Sequence, residues 1–249
     1  MKNTILKQIL PFVIGVLTVV LIACCSSPKR STSEVSVLYD ITERNETNLN
    51  AAEILQVFDF GKEKWNGATF TFAYVTDVSY NRKTHFALVE GGNRLTASTF
   101  TRDKEVTHFR DSVTNFLESL KLDTIGRPHS SVFIPLTEEL NRMAESKSKN
   151  RVLFVYSDLM ENEKSISFYD KKTFALLSND PGKLKTLLLK NAPLKRLDGI
   201  TVYFIFQPKN AEQDAMFRLV SGFYKKLLAD QGAHVTIAAN VALAANQTK

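Results

Sequence analysis

The chain has 249 residues and carries a formal net charge of +6, with 32 Lys and Arg against 26 Asp and Glu. This length suits one large domain with an apolar core of its own. So small a surplus of positive charge does not indicate nucleic-acid binding, and we expect no nucleic-acid partner. Both cysteines, Cys24 and Cys25, lie near the start, which excludes an internal disulfide or a thiolate metal site in the residues after them.

The first 24 residues combine a positive start, an apolar run and a cysteine. Lys2 and Lys7 precede an uncharged apolar run, Ile9 to Ala23. Cys24 directly follows Leu-Ile-Ala. This arrangement resembles a bacterial lipoprotein signal, in which the peptide is cut before the cysteine and the thiol is acylated. The resemblance implies a signal peptide at 1–23 and attachment to a membrane through acyl chains on Cys24. An uncleaved transmembrane helix is the less favoured alternative, because it needs about 20 apolar residues.

A polar segment follows the cysteine. Residues 26–33 contain Ser, Pro, Lys, Arg and Thr and no large apolar residue until Val35, a composition typical of a solvated tether. We therefore assign 24–34 to the lipidated cysteine and its tether, 35–239 to one domain, and 240–249 to a tail. Ser26 and Ser27 differ from the aspartate that keeps some lipoproteins in the inner membrane. This difference favours the periplasmic face of the outer membrane.

Strand-like and helix-like segments alternate through 35–239. Short β-branched apolar runs predict strands, and apolar residues recurring every three or four positions predict helices. The predicted strands are Val35–Tyr39, Thr69–Val75, Thr84–Val89, Arg151–Tyr156, Ile200–Phe206 and Val235–Ala238. The predicted helices are Leu49–Phe60 with Gly61 at its end, Lys104–Leu120, Val132–Ala144, Phe168–Leu177, Lys183–Leu189 and Asn210–Ala229.

This alternation predicts an α/β fold with a mostly parallel central sheet and helices on both faces. The short polar connection 77–82 predicts an antiparallel hairpin, so that the sheet has one antiparallel edge strand. Pro135 is compatible with its helix if it lies in the first turn, where its missing amide hydrogen has no partner to lose.

Polar residues follow two of the predicted strands, and in an open α/β sheet ligands bind at the carboxyl ends of the strands. These residues are Asp40, Thr42, Arg44, Ser157, Asp158 and Glu161. We call this edge of the sheet, with residues 40–44 and 157–162, the strand-end rim. If the two strands are neighbours, Asp40 and Asp158 face each other there, and their charges repel unless a positive group lies between them.

These positions resemble the von Willebrand factor A domain. That family carries Asp-x-Ser-x-Ser after its first strand, a loop Thr before a central helix, and an Asp in a Ser-Asp-Gly-like turn after its fourth strand. The matching residues are Asp40, Thr42, Ser130 and Asp158, with Ser131 as the competing choice for the loop hydroxyl. The resemblance implies a bound magnesium or manganese ion whose open position takes a carboxylate from a partner protein. It also implies a Rossmann-like sheet from Val35 to Ala238.

Arg44 departs from the family pattern, because it stands where the family has its second serine. A guanidinium cannot coordinate a cation, whereas its fork fits carboxylates. Either Arg44 points outward and water completes the ion site, or it turns inward and neutralises Asp40 and Asp158. The second alternative is favoured, since magnesium tolerates lost oxygen ligands poorly, and we expect no resident cofactor.

Simpler structural roles also account for these residues. An Asp at the end of a buried strand often accepts backbone N–H groups of the following loop, and Thr42 and Ser130 can do the same. Asp40, Thr42 and Asp158 would then need no ligand at all.

An enzymatic role has less support. A phosphatase resembling the haloacid dehalogenases also begins with an Asp after its first strand, but Thr42 stands where its second acid belongs. The chain has no nucleophile elbow, phosphate loop or dinucleotide turn. We expect a non-enzymatic binding module without a small-molecule substrate, which engages a protein or envelope component through Arg44, Ser131 and Glu161. A structural lipoprotein of an envelope assembly, without a rim site, is the alternative.

Overall fold

The computed structural model divides the chain into two units, Met1–Arg30 and Ser31–Lys249. It describes residues 30–42, 49–76, 82–92, 97–120, 130–163 and 166–241. The predicted signal peptide, Cys24 and Arg44 lie outside the described residues. Within the described ranges, no helix is both long enough and apolar enough to cross a membrane.

A six-stranded sheet forms the centre of the second unit. Its strands are β1 Thr32–Asp40, β2 Gly67–Val75, β3 Lys83–Leu88, β4 Asn150–Tyr156, β5 Ile200–Ile205 and β6 His234–Ala238. They lie in the order β3-β2-β1-β4-β5-β6, and only the β2–β3 pair is antiparallel. The predicted α/β class, mostly parallel with one antiparallel edge strand, is confirmed.

β1 begins three residues before its predicted start at Val35. Thr32 pairs with Gly67 of β2, and Ser33 pairs with Asn150 of β4. Pairing on both sides therefore extends the strand into polar residues that composition alone assigned to the tether at 24–34.

Seven helices occur in the described ranges, and they cover both faces of the sheet. They are α1 Ala51–Gln56, α2 Phe60–Glu63, α3 Thr99–Ser119, α4 Phe133–Glu145, α5 Lys171–Asn179, α6 Pro181–Asn191 and α7 Ala211–Ala229. Apolar residues of α1 and α3 pack on one face, against side chains such as Val37 and Phe72. Apolar residues of α4, α5, α6 and α7 pack on the other face, against side chains such as Leu38 and Leu153. Pro135 lies in the first turn of α4, as expected.

The single helix predicted for Leu49–Phe60 is wrong. Asp59 adopts a left-handed conformation with φ 46° and divides the segment into α1 and α2, and Gly61 lies inside α2. Residues two apart do not face each other on a continuous helix. Phe58 and Phe60 nevertheless stack with ring centroids 5.5 Å apart, and both contact Phe109. The break at Asp59 is what brings these rings to one side.

Arg102 explains why α3 begins five residues before the predicted Lys104. Its side chain is 2% exposed, and its guanidinium donates to the carbonyl oxygens of Lys64, Asn66 and Val89 at 2.7, 2.6 and 2.8 Å. A buried cation with its hydrogen bonds satisfied fixes the first turn of α3 to the loops after α2 and β3.

An ionic cluster with two buried carboxylates joins α4 to β1. Arg142 lies 2.6 Å from both Glu34 and Glu139, and Glu139 also accepts from Ser36 at 2.6 Å and from Lys83 at 2.7 Å. Burial by itself raises the pKa of Glu139, but the hydrogen bonds and charges of Arg142 and Lys83 outweigh it and lower the pKa to about 2. This cluster fixes α4 on the sheet.

Candidate functional site at the strand-end rim

Asp40 is the last residue of β1, and its carboxylate is fully engaged. Oδ1 accepts from the backbone N–H and the hydroxyl of Thr42 at 2.9 and 2.6 Å, and Oδ2 accepts from the Ser157 hydroxyl at 2.7 Å. Since β1 and β4 are parallel neighbours, with Tyr39 opposite Tyr156, their carboxyl ends meet at one edge. Asp40 is 2% exposed, so it supports the loops of the rim through buried hydrogen bonds and does not itself lie on the surface.

The loop after β4 is held by its own side chains. The Ser157 hydroxyl accepts from the Leu159 N–H at 2.9 Å, and Asp158 Oδ1 accepts from the Met160 N–H at 2.9 Å. Leu159 is buried in the left-handed region at φ 64°, where the family pattern has glycine. That conformation costs an ordinary residue roughly 1–2 kcal/mol. The two hydrogen bonds offset this cost and fix the direction of Asp158.

Glu161, which was predicted as a partner contact, is buried and anchors the start of α4. Its Oε2 accepts from the N–H groups of Val132 and Phe133 at 3.1 and 2.8 Å, and the residue is 3% exposed. Its pKa is raised to about 7, mainly by burial and in smaller part by the charges of Glu163 and Asp40, against the lowering effect of the two backbone donors. A partner cannot reach this carboxyl group directly.

Tyr224 of α7 lies next to the same acidic group. It is fully buried, and burial raises its pKa, with further increases from the charges of Glu161 and Asp158. Tyr224 and Glu161 therefore share one desolvated region beneath the rim, and Asp158 lies at its edge.

Ser130 and Ser131 contribute to the rim mainly through their backbone. Ser130 pairs with Asn162 by two backbone hydrogen bonds, and the Ser131 N–H donates to the Thr76 carbonyl at 3.2 Å. Ser131 is 2% exposed, and its role as a partner contact stays a prediction. In the described ranges both serine hydroxyls are buried and have no hydrogen-bond partner, which is uncommon in folded proteins.

The four residues matched to a metal site, Asp40, Thr42, Ser130 and Asp158, all lie at the rim. They offer hydroxyl oxygens and two carboxylates, but both oxygens of Asp40 already accept from protein groups. Magnesium demands near-ideal octahedral geometry. Across the described ranges, no three His, Cys, Asp or Glu residues are grouped as a metal site. Magnesium or manganese binding stays a prediction.

A cavity of about 220 Å³ opens beside the rim, and sequence reasoning missed it. It lies between the loops after β4 and β5 and the first turns of α7. It is lined by Asp158, Met160, Tyr169, Phe206, Glu212, Gln213, Met216 and Phe217. Phe206 was assigned to the strand, but β5 ends at Ile205. The rule that ligands bind at carboxyl ends of strands applies to β5 as it does to β1 and β4.

Comparison with known proteins adds a distant likeness. No protein-family model matches the chain, and no curated protein sequence matches it significantly. One similar structure is the conserved hypothetical protein BatB from Bacteroides thetaiotaomicron, at 10% identity and TM-score 0.37, covering 87% of this chain and 95% of that one. Another is a D319A mutant of the PilB minor pilin from Streptococcus sanguinis, at 10% identity and TM-score 0.47. That match covers 89% of this chain and 61% of the pilin chain. We transfer no residue role from either.

Proposed function

We propose that this chain is a lipid-anchored, extracytoplasmic binding protein that engages a partner protein or envelope component at the strand-end rim. The main support is the concentration of polar side chains at one edge of the sheet, next to an open cavity. Asp40, Ser157 and Asp158 are held in place there, and Asp158 also lines the cavity. Binding sites in open α/β sheets form at this edge.

The start of β1, which the tether enters, and the rim lie at opposite ends of this strand. The tether leads into Thr32, whereas Asp40 ends the strand eight residues along, roughly 26 Å away at about 3.3 Å per residue. A chain held by Cys24 thus keeps the tether entry and the binding edge apart. Loss of radiolabelled palmitate from Cys24→Ser, with label retained in the matched Cys25→Ser variant, is the expected result. Label retained in Cys24→Ser contradicts this anchor.

Binding accounts for Asp40 better than catalysis does. A phosphatase would use this carboxylate as its nucleophile, which requires an oxygen accessible to substrate. Asp40 is 2% exposed, and both of its oxygens accept hydrogen bonds from Thr42 and Ser157. We therefore propose a supporting role for Asp40 and a contact role for the residues around it.

The test is affinity isolation of the full chain from intact membranes, with the bound proteins identified. Asp158→Asn keeps the oxygen that accepts from Met160 but removes the charge at the rim. Asp198→Asn is the matched control, because Asp198 is 66% exposed and precedes β5 at the opposite edge. We expect Asp158→Asn to lose the partner with an unchanged thermal transition, while the control retains it. Equal capture by both variants would favour a structural lipoprotein without a rim site.

A further inference from the structure

The cavity beside the rim has the size of a site for one side chain. Its volume is about 220 Å³, below the roughly 300–1,000 Å³ typical of small-molecule sites. Two loops and a helix form its walls, namely the segment around Met160, the residues after β5, and the start of α7. Such a cavity suits a protruding residue of a partner protein.

Its walls are apolar and partly aromatic. The rings of Phe206 and Phe217 lie 5.1 Å apart and form one wall, together with the flexible side chains of Met160 and Met216. Tyr169 is 56% exposed at the opening. Aromatic faces and methionine side chains accommodate both an aliphatic stem and a planar cation.

The charged residues that line the cavity have one sign. Among its lining residues only Asp158 and Glu212 are charged, and both are acidic. The next acid on α7, Asp214, is paired with Arg218 at 2.9 Å and so is neutralised locally. The Lys209 backbone N–H donates to the Gln213 side chain at 2.9 Å, which fixes Gln213 in the wall. An apolar cavity with two carboxylates is complementary to a long, positively charged side chain.

We infer that this cavity binds an arginine side chain of the partner protein, a conclusion that rests on the proposed function of the rim. The arginine stem packs on Met160 and Met216, its guanidinium plane stacks on the aromatic wall, and its N–H groups reach Asp158 and Glu212. Arginine is favoured over lysine because guanidinium is planar, weakly hydrated and able to donate to two carboxylates.

Methionine methyl groups provide a direct readout. The chain has four methionines, of which Met160 and Met216 line the cavity and Met143 is buried in α4. The full-length protein, labelled with ¹³C at its methionine methyls, is titrated with N-acetyl-arginine methylamide. The citrulline analogue, equal in shape but uncharged, is the matched probe. We expect the Met160 and Met216 signals to move with the arginine probe and not with citrulline, while Met143 stays unchanged.

A pair of variants completes the test. Glu212→Gln should weaken binding of the arginine probe about threefold or more, whereas Glu138→Gln, exposed on α4, should leave it unchanged. The inference is overturned if Met160 and Met216 do not respond, if citrulline shifts them equally, or if Glu212→Gln binds as well as the natural chain. The probe needs no partner, so a failed titration alongside Asp158-dependent capture would reject the cavity's role and leave the rim function standing.

Discussion

The Ser157 hydroxyl donates a 2.7 Å hydrogen bond to the carboxylate of Asp40, which joins residues 117 positions apart in sequence. Because Ser157 also accepts from the Leu159 N–H, one hydroxyl connects the end of β1 to the loop that carries Asp158. The geometry of the rim therefore depends on a contact between neighbouring strands and not on either loop alone.

Ser157→Ala tests this connection. It leaves an oxygen of Asp40 and the Leu159 N–H without their partner in a buried site, so we expect a loss of roughly 1–3 kcal/mol in unfolding free energy, measured by urea denaturation. Ser119→Ala, which removes an exposed hydroxyl at the end of α3, is the matched control and should cost less than about 0.5 kcal/mol. Equal stability of the two variants would show that the Ser157 bond contributes nothing.

Glu161 predicts a pH dependence of stability. Its pKa is raised to about 7 when folded, against an ordinary value of 4.5, so between these pH values the folded chain holds a proton that the unfolded chain has released. Stability should then fall as pH rises from 4.5 to 7, by on the order of 3 kcal/mol. Glu161→Gln removes this titration, so its stability relative to the natural chain should rise over that interval.

Denaturation curves at pH 5 and pH 7.5 measure the effect. Glu138→Gln changes an exposed carboxyl on α4 and should show the same difference from the natural chain at both values. If the difference in unfolding free energy between Glu161→Gln and the natural chain is also the same at both pH values, then Glu161 is not held protonated by burial.

The burial of Arg102 predicts that its substitution costs much more unfolding free energy than substitution of an exposed arginine in the same helix. Arg102→Met removes the donor to three backbone carbonyls in a buried site, and we expect a cost of roughly 2–4 kcal/mol in unfolding free energy. Arg110→Met, exposed on α3, should stay within about 0.5 kcal/mol. Similar values for both variants, by urea denaturation, would contradict the role assigned to Arg102.

Arg44 predicts the absence of tight ion binding in the natural chain. Because its guanidinium cannot coordinate a cation and stands where the family pattern supplies an oxygen ligand, calorimetric titration with manganese should give no binding heat. Arg44→Ser, which restores the oxygen of the family pattern, should then create measurable affinity. Tight binding by the natural chain, or no change in Arg44→Ser, would count against this role of Arg44.

The sequence predicts the fold class well because strands and helices differ in their hydrophobic period. Apolar runs such as 151–156 locate the buried strands to within a few residues, and the positions of Asp40 and Asp158 follow from the parallel order of β1 and β4. The hydrophobic period within a short segment is therefore sufficient to locate the strands and helices.

Burial of individual polar residues could not be predicted in this way. Glu161 follows β4 and Ser131 precedes α4, positions that are normally exposed, yet both residues are buried. Arg102 is charged and was left outside its helix, but three carbonyl oxygens from other segments surround it. The cavity beside Asp158 likewise depends on residues from β4, β5 and α7 that meet only after folding.

Site-specific photocrosslinking tests most directly whether the strand-end rim is the binding surface. A benzophenone amino acid replaces Gln207, exposed just after β5, or Lys149, exposed just before β4 at the opposite edge, in the full chain produced in cells of its source. We predict a discrete protein adduct from position 207 and none from position 149. An adduct from position 149 alone, or equal adducts from both, would contradict binding at the rim.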